Sequence, residues 1–112
     1  MAYSIHRTAR FNKQLEGAVE YMLHTLCSPQ AAESLLDEYE QALQLIRNTP
    51  TWLPVDQAAS VHFDTTIYRK TVRSYLIRYW VDEASSTVHL ISFRHRSQDY
   101  TSFVSYDLAD ES

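Results

Sequence analysis

The hydrophobic positions of the chain change period twice along its length. At the start Tyr3 and Ile5 alternate with Ser4 and His6, the two-residue period of a short strand over Tyr3–Arg7. From Phe11 the period lengthens. Phe11, Leu15, Ala18, Val19, Met22, Leu23 and Leu26 recur at three- and four-residue steps, which predicts one apolar face of a helix capped by Thr8 and running to about Cys27. Asn12, Lys13, Glu16 and Glu20 take the other face.

Ser28-Pro29 restarts the pattern, because serine can accept a bond from a first-turn amide and proline at the first helical position has no amide to leave unpaired. Ala32, Leu35, Leu36, Tyr39, Ala42, Leu43 and Ile46 then define a second helix, which Asn48-Thr49-Pro50 ends. So short a link makes the two helices an antiparallel hairpin. Thr51 to Thr66 has little periodicity and reads as a loop that pins Trp52 and Leu53 against the core. After it the period returns to two. Ile67–Val72, Tyr75–Val81 and Thr87–Arg96 are rich in β-branched and aromatic residues and are parted by short polar links, as in an antiparallel meander. Tyr75 and Tyr79 alternate with Ile77 and Val81 and are assigned to the core. The expected fold is α+β: an N-terminal strand, an antiparallel helix hairpin and a three-stranded antiparallel meander, with the helices packed on the sheet.

A length of 112 residues fits one domain, expected to span 1–112 with 107–112 as a frayed tail. Hydrophobic residues are 45% of the chain and charged residues 21%, enough for a real core. One cysteine, Cys27, allows no internal disulfide and fits a reducing compartment, so a cytoplasmic location is expected. No secretory leader is read at the start, and no run approaches the roughly 18 apolar residues of a membrane span. The only glycine, Gly17, falls inside a helix, where it is about 1 kcal/mol worse than alanine. Close helix packing is the simplest reason for it. One glycine also builds no phosphate-cradling loop.

The net charge of −4 argues against bulk attraction to nucleic acid, yet Arg69, Lys70, Arg73, Arg78, Arg94 and Arg96, six of the ten Lys and Arg residues, gather on the meander. Metal-free phosphodiester cleavage needs a base, an acid and cations for the developing charge on phosphate. His95, Arg96 and Tyr100 are the candidate catalytic residues for that chemistry, and Arg69, Lys70, Arg73 and Arg94 are candidates for binding a phosphate or a target. The alternative is a solvated basic rim or a docking site for an acidic partner. Strand geometry would put Arg94 and Arg96 on one face and His95 on the other unless the strand ends there. His6, His24, His62, His89 and His95 show no helical metal-ligand spacing, and neither a metal nor another cofactor is expected.

The order strand, helix hairpin, meander, with Ala31-Ala32 early in the second helix, Ser74-Tyr75-Leu76-Ile77-Arg78-Tyr79-Trp80-Val81-Asp82 and Val88-His89-Leu90-Ile91-Ser92-Phe93-Arg94-His95-Arg96-Ser97-Gln98, resembles the RelE/ParE superfamily of bacterial toxins. The resemblance covers about Tyr3 to Tyr100. It implies a cytoplasmic, growth-inhibiting toxin of a type II toxin-antitoxin system, of the kind that stabilises plasmids, held inactive by a cognate antitoxin. A dimer or a toxin-antitoxin hetero-oligomer is compatible with it. ParE-like members inhibit DNA gyrase by binding it, whereas RelE-like members cut messenger RNA in the ribosome. The long hairpin and the His-Arg-Ser-Gln ending are ParE-like, and Leu76 stands where the RelE-like pattern has an arginine. The expected function is therefore a ParE-like toxin, with a RelE-like endoribonuclease and an inactive interaction module as alternatives.

Overall fold

A computed structural model describes residues 2–98. Its elements are β1 (Ser4–Arg7), α1 (Ala9–Glu20), α2 (Pro29–Asn48), α3 (Gln57–Phe63), β2 (Tyr68–Val72), β3 (Tyr75–Asp82) and β4 (Thr87–His95). The four strands form one sheet in the order β1-β4-β3-β2, with β1 parallel to β4 and the other pairs antiparallel. This is the α+β architecture that the change of period predicts. The frayed tail assigned to 107–112 lies outside the described residues.

The caps form as their residue types require. Thr8 Oγ1 accepts the Phe11 amide at 3.2 Å and donates to the Leu90 carbonyl at 2.8 Å, so one buried hydroxyl starts α1 and ties it to β4. Ser28 Oγ accepts the Ala31 amide at 3.2 Å, with Pro29 in the first turn of α2. Phe11, Leu35, Tyr39, Ile46, Ile77, Tyr79, Leu90 and Phe93 fill the core between the hairpin and the sheet. Tyr75 and Tyr79 are core residues as expected. The buried Tyr79 hydroxyl donates to the Pro50 carbonyl at 2.6 Å, and Tyr75 stacks on Phe93 with centroids 4.9 Å apart.

Three expectations need correction. The first helix does not run to Cys27 as a regular α-helix, because Tyr21–Thr25 form a π turn. The wider turn rotates later side chains about the axis, so Leu23 and Leu26 are exposed although the 3.6-residue period assigns them to the core. The supposed loop 51–66 contains α3, capped by Asp56 Oδ1 on the Ala59 amide at 3.0 Å and ended by Asp64 in the left-handed region (φ 56°). Within it Leu53 packs against the core but Trp52 is 82% exposed, because the 3-10 turn Pro50–Trp52 aims the indole outward. Finally, a Cβ on Gly17 would meet nothing within 4 Å, so close helix packing does not explain the glycine.

A register shift between Arg78 and Tyr79 gives β4 an extra residue there, Ile91. Leu90 and Phe93 thus both reach the main core, while Ile91 joins Ala59 and Ile67 in a second cluster with Phe63 and Trp80. That cluster seats α3 on the sheet's other face. Arg78 and Asp56 reinforce it with a buried ion pair, Nε to Oδ2 at 2.7 Å and side chains 5% and 8% exposed.

Candidate functional site

β4 ends at His95, and Arg96 opens a 3-10 turn whose first amide donates to the Ser74 carbonyl at 2.8 Å. Strand alternation stops there. Arg96 lines a cavity of about 590 Å³ with Arg69, Lys70, Thr71, Leu76, Leu53 and Pro54. His95 and Arg94 line a different one, of about 460 Å³, beside α1 with Gln14, Gly17, Tyr21, Tyr75 and Ser97. Neighbours in sequence, His95 and Arg96 thus serve separate cavities.

The first cavity owes its shape to the chain before β2. The Arg69 amide donates to the Pro54 carbonyl at 2.9 Å, the Asp56 amide to the Ile67 carbonyl at 2.7 Å, and Val55 makes an isolated antiparallel bridge to Tyr68. These bonds hold Leu53 and Pro54 as one wall, facing the Arg69, Lys70 and Arg96 cations. Leu76 contributes an apolar side chain where another cation would complete a phosphate clamp. The cavity can hold an anion by charge, and among the described residues its lining includes no histidine or acid for proton transfer.

Arg73 and Arg78, counted with the basic cluster by sequence, are engaged elsewhere. Arg73 occupies the β2–β3 turn at φ 54° and its Nη1 lies 2.6 Å from Glu38 Oε2 on α2, an exposed pair. Arg78 is buried against Asp56. Burial works to raise the Asp56 carboxyl pKa, but the Ala59 amide and the Arg78 guanidinium outweigh it and hold the group below its ordinary 3.8.

In the second cavity the Ser97 amide donates to His95 Nδ1 at 3.1 Å, and the Ser97 hydroxyl lies 2.8 Å from the same nitrogen. An amide only donates, so Nδ1 is an acceptor and the proton of the neutral ring sits on Nε2. The Tyr75 ring meets His95 edge-on at 5.2 Å. His95 therefore offers a donor from Nε2, but not a free base at Nδ1. Tyr100, the third proposed catalytic residue, lies outside the described residues.

Sequence reasoning missed Gln14 and Tyr21 in this cavity. Gln14 Oε1 accepts the Phe93 amide at 2.8 Å, satisfying a β4 amide that no strand reaches. Its place on the polar side of the periodic pattern gave no sign of that. Among the described residues no group of three His, Cys, Asp or Glu side chains could hold a metal ion, and no helix is long and apolar enough to cross a membrane.

No individual curated protein matches the chain. The family described as the ParE toxin of type II toxin-antitoxin system, parDE, matches it over residues 5–100, from β1 to just past the turn that carries Arg96. With most of its length matched, the chain belongs to the ParE family of type II toxin-antitoxin toxins.

Proposed function

We propose that this toxin acts without catalysis, arresting growth by binding a protein target, DNA gyrase in the ParE-like reading, until a cognate antitoxin in the cytoplasm neutralises it. The parting of His95 and Arg96 into two cavities carries this reading. Metal-free cleavage of a phosphodiester requires base, acid and cation around one phosphate. Leu76 beside Arg96 and the net charge of −4 point the same way. A supercoiling assay with purified gyrase tests the proposal: inhibition that saturates with toxin and is relieved by the product of the adjacent reading frame is the expected result. Unchanged supercoiling at saturating toxin would sink it.

One observation favours a second reading, a RelE-like ribosome-dependent endoribonuclease: Arg69, Lys70 and Arg96 share a cavity of about 590 Å³. Primer extension on messenger RNA from translating ribosomes decides it. Cleavage that disappears in Arg96→Ala supports the nuclease, and absence of cleavage removes it. Arg94 and Lys70 are the further positions at which charge removal is expected to weaken target engagement.

A further inference from the structure

The parallel seam between β1 and β4 brings together two histidines that are 83 residues apart in sequence. His6 and His89 are register partners, and their Nδ1 atoms lie 2.9 Å apart. Their rings meet edge-on at 5.1 Å, and His89 stacks flat on Trp80 of β3, 4.4 Å away and 14° from parallel. His6 is exposed. We propose that this pair is a two-histidine chelate for a divalent cation of tetragonal preference, Ni(II) or Cu(II).

The separation of the nitrogens carries the argument. At 2.9 Å, a hydrogen-bond distance, both nitrogens are within reach of one ion, and the choice of metal follows from the ligand type. Imidazole suits these ions, and the affinity order of first-row metals places Cu(II) above Ni(II) and Zn(II). Stacking on Trp80 holds one ring in place while the exposed His6 ring is free to turn until both lone pairs converge. Without metal one Nδ1 must donate a proton to the other; when a cation binds, that ring takes the tautomer protonated at Nε2, so both Nδ1 lone pairs face the ion and both rings stay neutral. Water completes the coordination. Bound metal would clip β1, a four-residue edge strand, to the centre of the sheet.

Trp80 reports on the site. In full-length, tag-free Cys27→Ser, Trp52→Phe protein, which removes the exposed thiol and the other indole, Ni(II) and Cu(II) titrations are followed by Trp80 emission and melting temperature. The expected result is one-site, saturable quenching with a rise in melting temperature, weakened at least tenfold by His6→Ala and unaffected by His24→Ala. The last control matters because Glu20 and His24, 3.6 Å apart on one helical face, are a competing ligand pair. Quenching that survives His6→Ala, or that disappears with His24→Ala, overturns the site, as does absence of saturable quenching. Zn(II) binding as tightly as Ni(II) overturns the tetragonal geometry. Because His6 is exposed, His6→Ala leaves the fold intact, and circular dichroism verifies this.

Discussion

Replacing Gly17 by alanine should make the protein more stable. In the interior of a helix glycine is about 0.8–1.0 kcal/mol worse than alanine, mostly through the backbone entropy it loses on folding. The usual offset is steric, and here it is missing: the new methyl would meet nothing within 4 Å, and the residue has no positive φ. Gly17 lies three residues before the end of α1, where the helix passes into the π turn, so part of the gain is lost to fraying. A net gain of about 0.5–1 kcal/mol remains. For a domain of this size that raises the melting temperature by roughly 2–6 °C. Urea denaturation should show a higher midpoint at unchanged slope, and thermal circular dichroism the matching shift. A lower midpoint would refute the reasoning, because it would mean that the backbone at this position is strained or that the open space is filled. Gly17→Leu extends the test to function. A leucine would extend into the cavity that Gly17 lines beside His95 and Tyr75, so lost toxicity at retained stability would mark that cavity as part of the working surface.

Asp56→Ala removes both the cap of α3 and the partner of a buried guanidinium, and should destabilise by roughly 3–5 kcal/mol in urea titrations. Asp56→Leu combined with Arg78→Met should recover part of that loss, since the penalty lies largely in the charge left behind. The same carboxylate sets an acid limit. Its folded pKa lies below its ordinary 3.8, so its contribution is complete well above that value and is lost as pH falls below 3.8 through the folded pKa. Denaturation midpoints measured from about pH 6 downward should fall in that window, and less steeply in Asp56→Asn. Tyr79→Phe leaves the Pro50 carbonyl without its 2.6 Å donor and should cost about 1–2 kcal/mol, with the far-ultraviolet spectrum unchanged.

How far the sequence carries depends on the length of the pattern. α2 repeats its apolar residues over twenty positions between two clear stops, and the strands of the meander alternate over five to nine, so each is plain in the sequence. α3 spans seven residues, two turns with one buried alanine, too short to display a period. The π turn hides for another reason: Leu23 and Leu26 keep α-helical spacing in sequence, and only the backbone changes. Pairings made by topology leave no local trace. Arg78 looks like a surface cation until Asp56, 22 residues earlier, reaches it under the sheet. His6 and His89 cannot be linked by spacing at all. The division of Arg96 from His95 depends on a strand that stops one residue earlier than its composition implies.

The parallel pairing of β1 with β4 has a mechanical consequence. The first and last strands among the described residues lie side by side and run the same way, joined from Ser4–Thr87 to Arg7–Leu90. A force drawing the start of β1 away from the end of β4 therefore acts along the strands and loads their hydrogen bonds together in shear, whereas an antiparallel end pairing would open like a zipper, one bond at a time. Thr8, bonded to Leu90 at the end of the seam, adds its own contacts to that load. A machine that unfolds this toxin by pulling on β4 begins on a strand held along both edges, by β1 in this seam and by β3 in a longer one.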